Sequence, residues 1–319
     1  MKAIVYTQYG SPDVLQSTEV EKPVPGDDEV LVRVRAVSLN ASDWEFLTGS
    51  PAYIRMWGLR RPKLRILGSD IAGQVEAIGK GVRRFRPGDE VYGDILERKG
   101  GFAEYVCAPE NALTLKPQNM TFEQAAAIPQ AATIALQSVR DKGDLRQGQR
   151  VLINGAGGGG GSFALQFARL CGAEVTGVDS ALKLDYMRSI GAHHVMDYAR
   201  EDFTRNGQQY DLIVDFVARR SIFDCRRALA AGGMYVLVGG SVRRLLQLLF
   251  LGPALSLSGG KKMGILFAVP NKDLTYIQDL FDSRTVVPVI DKCFPLEEVP
   301  EALRYLGAGL AKGKVVITV

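Results

Sequence analysis

The first third of the chain is a series of short strand-like runs. Ala3–Tyr6, Glu29–Ser38, Ile71–Ile78 and Glu90–Gly93 alternate apolar with polar residues or run apolar over strand lengths. Pro25-Gly26, Gly79-Lys80-Gly81 and Pro87-Gly88-Asp89 separate them as turns. Many short strands with few helical stretches predict a compact, barrel-like β domain. The period changes near Thr121, where Thr121-Phe122-Glu123-Gln124 has the spacing of a capping box and opens an alanine-rich helix over 122–128. Pro129 interrupts that helix, and another is predicted from Ala131 to about Lys142. Strands and helices then alternate: strands at Val151–Asn154, Glu174–Val178, Leu212–Phe216 and Met234–Val238, helices at Ser162–Cys171, Ala181–Ile190 and Ser221–Leu229. Such βαβ alternation specifies a parallel sheet with helices on both faces. A further helix follows Asn271, and the chain ends on the strand Lys314–Val319.

Composition changes this picture little. The 319 residues leave room for two domains. The charge of +4 is too small and scattered for a nucleic-acid surface. No apolar run has bilayer-spanning length and the N-terminus lacks a signal-peptide core, so the cytoplasm is the expected compartment. The most apolar stretch, Leu245 to Leu257, is interrupted by Gln247, Gly252 and Pro253. It reads as a buried or subunit-facing segment, with membrane-surface contact the less favoured alternative. Cys107, Cys171, Cys225 and Cys293 lie far apart, without metal-ligand spacing, and read as buried small side chains.

The chemical signal is the run from Val151 to Ser162, in which Gly155-Ala156-Gly157-Gly158-Gly159-Gly160-Gly161 joins a strand to a helix. Without Cβ atoms such a turn bends sharply and lets backbone amides approach a pyrophosphate, which the helix N-terminus also attracts. No Lys-Ser/Thr pair follows, which disfavours a nucleoside-triphosphate loop. Asp179 stands 18 residues after Gly161, near the roughly 20 expected of a ribose-binding acid. Its charge argues for NAD(H), whereas Ser180, Lys183, Tyr198 and Arg200 form a set able to cradle a 2′-phosphate. The sequence leaves that choice open.

Over essentially its whole length the chain resembles the zinc-free, quinone oxidoreductase-like branch of the medium-chain dehydrogenase/reductase superfamily. The resemblance rests on Leu67–Gly73, Val75–Gly79, Phe85–Val91, Gly101–Val106, the glycine turn and Gly313–Ile317. It implies an α/β chain with a GroES-like β-barrel catalytic domain over 1–118 and 270–319. A Rossmann doubly wound parallel sheet over 119–269 would complete it, with the cofactor in the cleft between. Zinc relatives place Cys and His where this chain has Asn40 and Ser69, and the lobe of four cysteines is missing between Tyr92 and Gly101. No metal is therefore expected. His193 and His194 are expected in a surface turn.

Without a Lewis acid the resemblance implies reduction of quinones or other conjugated carbonyl compounds by NAD(P)H, in which the protein aligns the reactants and stabilises a distant oxygen. By the same resemblance Asn40 and Tyr53 are the catalytic candidates, Asn40 also fitting a turn-forming role. Trp44 and Trp57 could wall the pocket, core packing being the commoner use of such residues. Glu45 replaces an aromatic position of the quinone-reductase pattern, and Asp43 fits either an orienting or a loop-capping role. Thr133 is expected at the nicotinamide end, Phe216, Val238 and Gly239 at strand ends, and Lys314 near the phosphates. Phe267 and Ala268 are expected in the last Rossmann strand, whose edge would pair in a homodimer. Two other readings stand beside this one: an alkenal or enone double-bond reductase with the same hydride donor, and a cofactor-binding protein with little catalysis.

Overall fold

The structure, a computed structural model, describes residues 1–257 and 259–319; the Trp57 side chain lies outside the described residues. The chain forms two compact units, Met1–Ala131 with Pro270–Asp282 and Pro288–Val319, and Ala132–Val269 with Ser283–Val287.

The first unit contains β1 (Lys2–Val5), β2 (Gln16–Glu19), β3 (Glu29–Ser38), α1 (Ala41–Thr48), β4 (Asp70–Ile78), β5 (Glu90–Asp94), β6 (Tyr105–Pro109), β7 (Thr114–Leu115) and α2 (Phe122–Ala126). After α3 (Pro129–Leu136) the second unit follows: β8 (Arg150–Asn154), α4 (Gly159–Leu170), β9 (Glu174–Asp179), α5 (Leu184–Ser189), β10 (His194–Asp197) and β11 (Tyr210–Asp215). It continues through α6 (Ile222–Arg227), β12 (Leu229–Leu237), α7 (Val242–Leu257) and β13 (Lys262–Ile265). The chain then returns to the first unit with α8 (Leu274–Asp282), β14 (Ile290–Pro295), α9 (Val299–Gly307) and β15 (Lys314–Thr318).

In the first unit the strands run β14-β15-β3-β4-β5-β7, with β6 also on β3. Ten-residue β3 is the hub, and the C-terminal β15 pairs with it antiparallel, Val316 opposite Ser38. Val30, Val32, Val37, Ile71, Val91, Phe102 and Ile317 meet in the core. Residues 119–131, assigned from the sequence to the cofactor domain, cluster here instead, because α2 packs on β3 and β4. Ser283–Val287 cluster with the second unit: Gln166 bonds both backbone groups of Val287, at 2.9 and 3.0 Å.

The second unit holds an all-parallel sheet of order β10-β9-β8-β11-β12-β13. Strand order reverses between β8 and β11, so the carboxyl ends of β8, β9, β11 and β12 surround the switch point where ligands of such sheets bind. Two expectations need correcting. β13 stops at Ile265, and Phe267 lies beyond it, 78% exposed. Gln137 draws the chain off the sheet edge by bonding both the N–H and the C=O of Val269 at 3.0 Å. The histidines are exposed as expected and His193 lies in a bend, its Nδ1 accepting from the Val175 amide, but His194 is in no turn: it begins β10 and bonds Glu174 at 2.8 Å.

Candidate dinucleotide site and buried polar cluster

In the second unit, β8 runs into a turn in which Gly155 has φ +86°, the left-handed region that favours glycine. The first α-helical bond of α4 is Ser162 N–H to the Gly158 carbonyl. The amides of Gly159, Gly160 and Gly161 therefore have no acceptor within the helix. Contacts leave little room for larger residues here. A Cβ on Gly161 would strike the Gly155 carbonyl, and one on Gly160 would meet the Phe216 ring at 2.7 Å. At Gly158 a Cβ would meet only the Gly155 carbonyl oxygen, at an ordinary contact distance of 3.5 Å, so there is room beside the backbone there. Free amides at the N-terminus of a twelve-residue helix fit a diphosphate.

Asp179 closes one side of the turn. Its Oδ2 accepts from the Gly157 amide at 3.0 Å, its Oδ1 accepts from the Ser180 amide at 2.8 Å, and buried Lys183 pairs with it at 3.5 Å. Tyr198 donates its amide to the Asp179 carbonyl, and its side chain is exposed. Gly239 lies against the Phe216 carbonyl, and Val238 donates its amide to Asp215. Thr133 is buried, and its hydroxyl has no partner among the described residues. Gly155, Ala156, Gly158, Gly159, Gly161, Asp179, Ser180, Lys183, Tyr198, Phe216, Val238 and Gly239 thus sit on the turn or on the neighbouring strand ends. Phe267 does not join them.

The first unit holds a different constellation. Asn40 precedes α1 and is nearly buried; its Nδ2 donates to Asp70 at 2.9 Å and its Oδ1 accepts from Lys314 at 2.6 Å. The Lys314 ammonium also donates to the Leu39 carbonyl and lies 3.8 Å from Asp70. Lys314 is therefore a buried strut of the β domain with its donors committed, which corrects its expected approach to cofactor phosphates. Asp43 accepts from the backbone amides of Asn40 and Gly68 and pairs with buried Lys99 at 3.5 Å. The capping reading of Asp43 accounts for the Asn40 bond, while the Gly68 and Lys99 contacts tie the cap to other segments. Asp94 accepts from Gln130 at 3.3 Å and leaves its other oxygen unpartnered among the described residues.

Burial lifts the Asp70 carboxyl well above the usual range; Asp94 adds to the rise, while Lys314 and the Asn40 amide oppose it. Burial lifts Asp94 as well, and it pulls Lys314 down against the attraction of Asp70, Asp43 and Asp94. Sequence reasoning missed Asp70, Asp94 and Lys99 as members of this cluster. The available signal was charge inside otherwise apolar strand stretches, at Asp70-Ile71-Ala72 and Val91-Tyr92-Gly93-Asp94.

Tyr53 lies in a short helical turn with its side chain 43% exposed. Its phenol is pushed up by burial and by the charge of half-buried Glu45, so it stays protonated at neutral pH. Trp44 packs against Gly307 of α9, where a Cβ would collide with its ring. It serves the core. Among the described residues no three His, Cys, Asp or Glu side chains form a group able to hold a metal ion.

Comparison with known proteins agrees with this architecture. Residues 26–118 match the alcohol dehydrogenase GroES-like domain, and residues 190–317 match the family described as zinc-binding dehydrogenase. The chain is 32% identical to 2-methylene-furan-3-one reductase of Solanum lycopersicum, over 99% of this chain and 79% of that protein. It is 30% identical to the chloroplastic quinone-oxidoreductase homolog of Spinacia oleracea, over 99% and 98%. The quinone oxidoreductase structure from Coxiella burnetii superposes with a TM-score of 0.91 at 28% identity, covering 100% of this chain and 99% of that one. With a glycine turn at the switch point of a parallel sheet and a GroES-like β domain, the chain belongs to the medium-chain dehydrogenase/reductase superfamily, in its quinone oxidoreductase-like branch of oxidoreductases.

Proposed function

We propose that the protein transfers hydride from NADH or NADPH to a quinone or another conjugated carbonyl compound without using a metal. The observation that carries the reading is the amide cradle of Gly159–Gly161 beside the open face of Gly158, built where a diphosphate is held in such sheets. A bound reduced nicotinamide supplies the hydride. The buried, unpartnered hydroxyl of Thr133 offers it one hydrogen bond. Tyr53, a neutral and partly exposed phenol, can donate to the substrate oxygen on which charge collects. Asn40 keeps one N–H beyond its bond to Asp70, on an amide whose orientation Asp70 and Lys314 hold. Water can deliver the one proton that completes the reduction.

The metal-free part of the proposal is supported by the donors present. Asn40 is occupied by Asp70 and Lys314, and Ser69 offers a buried hydroxyl where zinc relatives carry histidine. The coenzyme choice rests on Asp179, whose repulsion of a 2′-phosphate is offset by Lys183. The outer edge of β13, which pairs with no other strand among the described residues, would join a second copy in a homodimer.

Parallel titration with NADH and NADPH, then turnover with a quinone and an α,β-unsaturated ketone, tests the proposal. Saturable dinucleotide binding and oxidation by either acceptor are expected, and the acceptor ratio separates a quinone reductase from an enone reductase. The name of the tomato relative favours the enone arm. Binding without turnover on any electrophile would leave a binding protein, and zinc in the purified protein would overturn the metal-free step.

A further inference from the structure

Helix α7, Val242–Leu257, is apolar on two sides, although among the described residues only one of them packs on the protein. Leu245, Leu248, Gly252 and Leu255 recur at helical spacing and face the second unit's core, with Leu248 fully buried. Such a stripe is enough to dock a helix. A second stripe faces away: Arg243, Leu246, Phe250, Pro253 and Leu257 recur at the same spacing, and all five are exposed. Phe250 is 74% exposed and Leu257 90%, with Leu249 beside them. A solvent-facing side of ordinary composition would carry charge along its length. Here the cations stand at the two ends, Arg243 at one and exposed Lys262 past the other.

Charge decides what covers this face. Residues 242–263 contain four basic side chains, Arg243, Arg244, Lys261 and Lys262, and no acidic one. A second copy meeting the first through this patch would bring the same patch on both sides, as two-fold contacts require, so cations would meet cations with no acid to pair them. An anionic bilayer surface satisfies both features together. Its acyl boundary takes the leucine and phenylalanine side chains, and its headgroups take the terminal cations. A sixteen-residue helix lying flat presents roughly 24 Å of contact. No helix among the described residues is long and apolar enough to cross a membrane, so the contact would be peripheral.

We propose that the outer face of α7 docks the protein on anionic phospholipid membranes. The inference is independent of the reaction proposed above, because it concerns a surface and not the cofactor site.

Flotation of the full chain with phosphatidylcholine vesicles, and with vesicles that also contain phosphatidylglycerol, tests it. The expected result is co-flotation with the anionic vesicles only, weakening as salt rises. Leu246→Ser with Phe250→Ser should lower vesicle partitioning by at least about tenfold. Arg243→Glu should lower it by about fivefold or more. Both changes lie on exposed positions, and an unchanged Tm verifies the fold; if the serine pair does not fold, the Arg243 variant decides. Failure to float with anionic vesicles, equal flotation with neutral ones, or flotation indifferent to these variants overturns the proposal. A lipid-free dimer that Phe250→Ser converts to monomer, without vesicle binding by the wild type, assigns the face to a second copy and also overturns it.

Discussion

Around Gly158 three helix-start amides lack an acceptor in the helix, and Asp179 and Lys183 stand beside the turn. Around Asn40 the reverse holds. Asp43, Asp70, Asp94, Lys99 and Lys314 are all buried, and Asp43, Asp70 and Lys314 bond to Asn40, to one another's partners and to nearby backbone. An open set of polar groups is ready for a ligand, because ligand bonds replace bonds to water. A closed set mainly holds its members in one geometry, here the loop from Leu39 to Asp43. The contrast suits the glycine turn to a ligand and the cluster to holding Asn40 in place.

The largest expected effect breaks the closed cluster. Lys314→Met strands Asp70 and the Asn40 oxygen, and should cost about 4 kcal/mol in urea denaturation. Adding Asp70→Asn should recover part of that loss; a single variant as stable as wild type would show that the cluster is not a strut. Next, Gly161→Ala drives a Cβ into the Gly155 carbonyl and should cost about 3 kcal/mol. Gly158→Ala, where space is open, should change stability by no more than about 0.5 kcal/mol. Its methyl group should still weaken dinucleotide binding by about tenfold, read by fluorescence titration. Unchanged affinity would move the diphosphate away from this turn.

Smaller effects sharpen the comparison. Asp179→Asn removes the charge that repels a 2′-phosphate and should raise the NADPH/NADH ratio of kcat/KM about tenfold. A constant ratio would locate the adenosine end elsewhere. The smallest effect concerns pH. Asp94 has a folded pKa raised above its ordinary 3.8, so its neutral form is the favoured one in the fold. The stability this adds is complete below pH 3.8 and is lost as pH rises through the folded value. Asp94→Asn should remove that decline and gain about 1 kcal/mol near neutral pH, measured as Tm against pH. A parallel decline in the variant would assign the pH dependence to Asp70.

Legibility in the sequence followed the range of the interactions. Strands such as Glu29–Ser38 and the β8-turn-α4 unit were readable because periodicity and glycine are local signals. Helix α1 was not foreseen, since Ala41–Thr48 has only a weak apolar stripe and is held by Asp43 capping and by Trp44 packing on α9. Lys314 read as a phosphate-facing cation because nothing near it in sequence shows that β15 inserts beside β3.

The sequence by itself determined the two-part α/β organisation, the glycine turn and the acid 18 residues beyond it, because each depends on neighbours along the chain. Only the tertiary structure decided which charges are buried together, that Asn40 is clasped between Asp70 and Lys314, and that half of an apolar helix faces outward. Those outcomes depend on contacts between residues tens to hundreds of positions apart, and burial, which sets the cost of every charge, is a property of the folded chain alone.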